Sequence, residues 1–251
     1  MILAKHALRR RLPLLAMIVL AWLCMLIMAL QHAQHGILAL HKARFDGFDF
    51  LLILIMWWAM TIAMMLPTAI PALQVLEDLN DTAGRKGEKT GRTAMFTLGF
   101  TSVWFGFGVL LSILQCVLHN AALFTPAGNS VNLQLAAALF MLAGVYQWTP
   151  LKAACVSKCR SPMAFFLSHW EPGDRGFRRM GWRMGKHCLG CCWAMMLLMF
   201  SLGVMNLLWM GLLTLYMYAE KNWVRQPWFD RGSGFVLVSI GMLMLVLPWL
   251  K

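Results

Sequence analysis

The chain has 251 residues, of which 60% are hydrophobic and only 13% charged, about half the charged share of an ordinary soluble domain. That balance excludes a soluble globular enzyme. The net charge of +12 would suggest nucleic acid in a soluble protein. Here it is read as the basic flanks of membrane helices, so no nucleic-acid partner is expected.

Charge-free apolar runs near or above the ~20 residues needed to cross a bilayer core predict an all-α polytopic bundle of six spans, a single integral membrane domain over residues 1–251. The first span, 13–30, follows Lys5, Arg9, Arg10 and Arg11. It exceeds the roughly 7–15 residues of a signal-peptide core and is read as a retained helix. If it continues outward, Met25, Met28, His32 and His35 share one face. Thioether and imidazole together make Met28, His32 and His35 a candidate outer capture site for copper. The second span, 48–70, is expected to stop at Pro67 and Pro71, where the ring removes backbone donors. Its Met56, Met60 and Met64 recur every fourth residue and form one stripe.

The third and fourth spans are 93–118 and 131–148. Thr149-Pro150 then reads as an N-cap followed by proline at the first helical position, which predicts a short helix from Pro150 to about Arg160. The stretch 152–187 is expected to be a basic cytoplasmic loop. The fifth span, 188–211, lies in a charge-free run, Cys188–Ala219, too long for one upright helix. A tilt, or a break near Gly203 or Gly211, is expected. Met195 and Met199 continue the thioether pattern there, and 234–248 is the sixth span. With both termini cytoplasmic, 17 of the 22 Lys and Arg lie inside and five outside. This is the positive-inside pattern and predicts a multi-pass protein of a bacterial inner membrane.

Five of the seven cysteines converge in this reading. Cys155 and Cys159 stand at i and i+4 on the short helix, so their Cβ atoms are about 6 Å apart on one face. Cys188-Leu189-Gly190-Cys191 reads as a C-x-x-C turn in which glycine supplies a left-handed conformation. Two pairs make a tetrathiolate or two sites of lower coordination, with Cys192 and the adjacent His187 as further ligands. Cys24 and Cys116 lie within spans and read as packing. Disulfides are not expected in a reducing cytoplasm. The basic loop favours thiolate, the metal-binding form. Soft thiolates select Cu(I) or Zn(II).

The methionines Met56, Met60, Met64, Met195 and Met199 favour Cu(I), since thioethers bind it and hardly bind Zn(II). They read as a relay, or as gap-filling core. Copper handling or transport is therefore the expected function. The expected partners are the lipid bilayer, the metal ion, and a metal chaperone or partner membrane protein. A zinc-stapled membrane scaffold or assembly factor and a membrane thiol redox protein are the alternatives. No P-loop string occurs, no carboxylate lies in the charge-free apolar runs, and no catalytic residue is assigned.

Several strings in combination resemble a known family: Met56-Trp57-Trp58-Ala59-Met60, Ala63-Met64-Met65-Leu66-Pro67, Gly144-Val145-Tyr146-Gln147-Trp148-Thr149-Pro150, Cys159-Arg160-Ser161-Pro162 and Gly190-Cys191-Cys192-Trp193-Ala194-Met195. They are similar to a bacterial family of predicted metal-binding integral membrane proteins of unknown function, over about residues 45–250. Trp148 stands where a smaller apolar residue is expected, which leaves the cysteines unaffected. The resemblance implies metal binding and no established reaction.

Overall fold

A computed structural model describes residues 2–35, 47–82, 89–124, 131–223 and 227–246; the side chains of 2–11, 13, 31–35, 47–48, 80–82, 89–91 and 227 lie outside that description. The described residues are all-α, without a named strand: α1 (Ile2–His35), α2 (Gly47–Thr82), α3 (Lys89–Asn120), α4 (Leu133–Gln147), α5 (Pro150–Arg160), α6 (Pro162–His169), α7 (Asp174–Leu197), α8 (Met199–Leu202), α9 (Leu207–Asn222) and α10 (Pro227–Val246). Four stretches are helical, long and apolar enough to cross a membrane: Asp49–Leu79, Arg92–Asn120, Asp174–Leu202 and Trp228–Val246. Leu14–Leu30 and Leu133–Gln147 are apolar but shorter.

The second helix does not stop at its prolines. Pro67 and Pro71 lie inside α2, which runs on to Thr82. Pro67 has no N–H, so the carbonyl of Ala63 loses its helical partner. The indole of Trp22 on α1 donates to that oxygen at 3.1 Å. A neighbouring helix thus satisfies the group that the proline frees, and the helix survives.

Nor is 152–187 a loop. Thr149 caps α5 and Pro150 begins it, as the sequence predicts. Pro162 then opens α6. Gly173, at φ +84°, turns the chain into α7, whose basic first half continues without interruption into the apolar second half. The helix expected from residue 188 therefore starts at Asp174.

The long apolar run breaks at Gly203, which adopts φ +97°, a conformation that glycine takes at little cost. Asn206 then accepts a hydrogen bond from Trp209 N at 3.3 Å and caps α9. α9 returns the way α7 came, because Lys221 near its end meets Cys188. The expected span 188–211 is thus the end of one helix and the start of another running back. Lys221 and Arg231 do not lie at the end opposite the cysteines. The Arg231 carbonyl accepts from Trp148 Nε1 at 3.1 Å, next to α5.

Glycines set the helix contacts. α3 and α7 run parallel, with Gly99 against the backbone of Arg178 and Trp182, and Gly185 against Phe100 and Val103. α4 and α10 run antiparallel, with Gly144 beside Gly234 and Gly241 beside Ala137 and Met141. Such close approach needs small residues. Large apolar side chains cover the outside, among them Leu20, Leu110, Val117, Leu215 and Phe235.

Candidate metal centre

α7 carries Cys188, Cys191 and Cys192 on an unbroken helix, all of them buried. The left-handed turn expected at Gly190 is absent; among the described glycines only Gly173 and Gly203 have positive φ. Gly190 has a different use. A Cβ there would stand 2.6 Å from Cys155 Sγ, so the missing side chain makes room for a thiol from α5. The Gly190 carbonyl also accepts a hydrogen bond from the hydroxyl of Tyr146 on α4, and the Tyr146 ring packs edge-on against Trp193.

The thiols meet across the α5–α7 contact. Cys191 Sγ is 3.4 Å from Cys192 Sγ and donates to the Cys188 carbonyl at 3.2 Å. Cys188 lies close enough to Cys191 and Cys192, and Cys159 to Cys191, for the thiols to act on one another. Cys155 sits over Gly190, and burial pushes its thiol above the usual range. The structure therefore brings all five loop-flanking cysteines into one neighbourhood. The ring of His187 meets Phe165 of α6 edge-on.

A polar layer lies beside the thiols. Lys221 Nζ, from α9, donates to Cys188 Sγ at 3.1 Å and to Thr68 Oγ1 of α2 at 3.1 Å. Lys152 of α5 pairs with Glu220 of α9 and with Gln147 of α4. Arg160 holds Asp230 at 3.1 Å. Glu220 is fully buried, and its Oε2 has no partner among the described residues. Sequence reasoning missed Lys221, Lys152, Glu220 and Thr68. The available signal was that Glu220-Lys221 directly ends the charge-free run, as a buried pair closing a returning helix would.

The methionines lie in the core. Met56, Met60 and Met64 on α2 and Met195 and Met199 on α7 and α8 are each at most 3% exposed. Thr68, four residues after Met64, continues the α2 stripe to Lys221. α9 adds a third stripe, with Met210 and Met217 fully buried and Lys221 four residues beyond Met217. Met28 is partly buried against the same core, 3.9 Å from Cys24 through their sulfurs. The side chains of His32 and His35 lie outside the described residues.

Among the described residues no three His, Cys, Asp or Glu side chains are arranged so that they could hold a metal ion. The reason is local. Cys191 is turned onto a carbonyl of its own helix, and Cys188 is engaged by Lys221. With metal–sulfur bonds of about 2.3 Å, two ligating sulfurs stand roughly 3.8 Å apart at a tetrahedral angle. The Cys191–Cys192 sulfurs stand at 3.4 Å, a little inside that value. The donor set is five thiols with no carboxylate among them, which suits a soft ion.

A protein-family model described as a copper chaperone matches residues 54–244, most of the chain. No curated protein and no solved structure matches it.

Proposed function

The chain belongs to the copper-chaperone family PpoB2, and from that premise we propose that it is a multi-pass membrane protein that takes Cu(I) as cargo on its clustered thiols. The observation that carries the reading is the convergence of Cys155 and Cys159 with Cys188, Cys191 and Cys192 at one end of a methionine-rich core. Thiolate and thioether together favour Cu(I) over Zn(II). Cys155, Cys159, Cys188, Cys191 and Cys192 form the receiving site. Met56, Met60, Met64, Met195, Met199, Met210 and Met217 relay copper toward it along three neighbouring helix faces, and Met28, with His32 and His35, serves outer capture. His187, turned to Phe165, is not a ligand.

The returning helix α9 also revises the topology. Counting α1, α2, α3, α4, α7, α9 and α10 as seven crossings puts 19 of the 22 Lys and Arg on the cysteine side. That asymmetry is sharper than six crossings provide, and it supports a cytoplasmic cysteine side in a bacterial inner membrane. The end of α10 then lies on the opposite side. The apolar outer surface meets lipid.

Anaerobic titration of the purified full chain in detergent, against a chromophoric Cu(I) chelator, tests the cargo. Stoichiometric binding that is lost in Cys188→Ser/Cys191→Ser is expected. Retention of full binding by that variant would remove the site. Cellular copper compared with and without the protein, and with Cys155→Ser/Cys188→Ser, tests the relay. Equal copper in all three strains would end that part of the reading.

A further inference from the structure

Lys221 is placed unlike the other cations of the polar layer. Lys152 is neutralised by Glu220, and Arg160 by Asp230. The described partners of Lys221 are a hydroxyl, Thr68 Oγ1, and a sulfur, Cys188 Sγ, each at 3.1 Å. The residue is 2% exposed and Cys188 equally so. A charge at that depth is tolerated only when an opposite one accompanies it. Cys188 Sγ, 3.1 Å from the ammonium nitrogen, is the group placed to carry that opposite charge once a metal holds it as thiolate.

We propose that Lys221 makes the thiol cluster selective for a monovalent over a divalent metal ion, by acting as the fixed counter-cation of a buried dithiolate. The inference rests on the reading that these thiols take Cu(I), and it adds what sets the choice of ion. Two thiolates carry two negative charges. With Cu(I) they leave one, which the Lys221 ammonium cancels. With Zn(II) they leave none, and the ammonium becomes an uncompensated positive charge in a closed interior. The same residue therefore favours one ion and penalises the other.

Loading balances in atoms and charge. Cu(I) reaches the Cys188 sulfur, which lies beside Lys221 Nζ, and a second thiol, that of Cys191 or Cys192. Two Cu–S bonds form, the proton shared between Cys188 Sγ and Lys221 Nζ stays on the nitrogen, the S–H bond of the second thiol breaks, and its proton leaves to water. No electron moves. Lys221 stays beside the anionic complex as an outer partner and does not ligate the metal. Its reach to Thr68 holds the ammonium on the α2 side of Cys188, so the sulfur keeps its other faces open to the ion.

The experiment uses the full chain in detergent micelles, with Cu(I) measured by competition against a Cu(I) chelator and Zn(II) against a chromophoric zinc indicator. Lys221→Met and Lys221→Gln should weaken Cu(I) binding by about 10- to 100-fold, the usual loss for an outer partner of a metal ligand. Zn(II) binding should hold or tighten, so the preference between the ions falls at least tenfold. Lys221→Arg, which keeps the charge, should stay within a few-fold of the unmodified protein for both metals. Far-UV circular dichroism and elution volume identify a misfolded variant, and the two neutral substitutions back each other up. Equal weakening of both metals in the neutral variants would reduce Lys221 to a packing role and overturn the proposal. So would an unchanged preference. An unmodified chain that binds Zn(II) but no Cu(I) would overturn the copper reading as well.

Discussion

The Lys152–Glu220 pair joins α5 to α9, and its removal has a calculable consequence. Lys152 is 1% exposed and Glu220 0%, and Lys152 Nζ bonds both Glu220 Oε1 and Gln147 Oε1. Lys152→Met leaves the Glu220 carboxylate buried with the Tyr216 hydroxyl at 3.2 Å as its remaining described donor. Breaking a buried pair by deleting one partner costs about 3–5 kcal/mol, a large part of a total stability of about 5–15 kcal/mol. At about 2–4 °C per kcal/mol for a chain of this size, the unfolding midpoint should fall by roughly 6–20 °C. The double variant Lys152→Met/Glu220→Met removes both charges, and replacing a whole buried pair by apolar groups is often neutral. It should recover at least half of the loss. Thermal unfolding in one detergent, followed by circular dichroism, gives all four corners of the cycle. A double variant as unstable as the sum of the singles would refute the pairing. Because α5 carries Cys155 and Cys159, the single variant should also bind Cu(I) more weakly than the double.

Trp22→Phe removes the donor to the Ala63 carbonyl and should cost about 1–3 kcal/mol as an unsatisfied buried acceptor. Adding Pro67→Ala restores a helical N–H to that oxygen and should return much of the loss; equal midpoints for the single and double variants would show that Trp22 does something else. Gly190→Ala gains about 1 kcal/mol of helix propensity but drives a Cβ to 2.6 Å from Cys155 Sγ. The midpoint should move by only a few degrees while Cu(I) affinity falls, and an unchanged affinity would place Cys155 outside the ligand shell. The raised thiol of Cys155 stays protonated to higher pH than an exposed cysteine, whose ordinary value is about 8.5. Its alkylation rate in the metal-free chain should still be climbing where a free cysteine levels off, and a plateau at or below the ordinary range would contradict the burial effect.

Helical class, apolar composition and the capped start of α5 were legible because each depends on local chemistry: charge-free runs, and Thr149 before Pro150. Continuity through Pro67 was not legible, since it depends on an indole from another helix reaching Ala63. The i, i+4 pairing of Cys155 and Cys159 was readable from spacing alone, whereas the use of Gly190 as space for a sulfur required α5 and α7 to be docked. A C-x-x-C spacing fits a turn or an unbroken helix equally well, and only the burial of α7 along this whole face decides for the helix.

The largest departure from expectation comes from one glycine. Gly203 in a left-handed conformation, with Asn206 capping α9, turns an apolar run that sequence reads as a single membrane crossing into two helices of opposite direction. Without that reversal Glu220 and Lys221 would lie at the far end from the thiols, as the charge pattern of six crossings implies. With it, both charges are carried back into the interior. Glu220 closes onto Lys152, and Lys221 is delivered to Cys188. The reversal also sets Met210 and Met217 on the same face as Lys221, beside the α2 stripe that ends at Thr68. The thiol donors and the cation that accompanies them come from segments over thirty positions apart in sequence, joined by a turn whose only local signature is a glycine three residues before an asparagine.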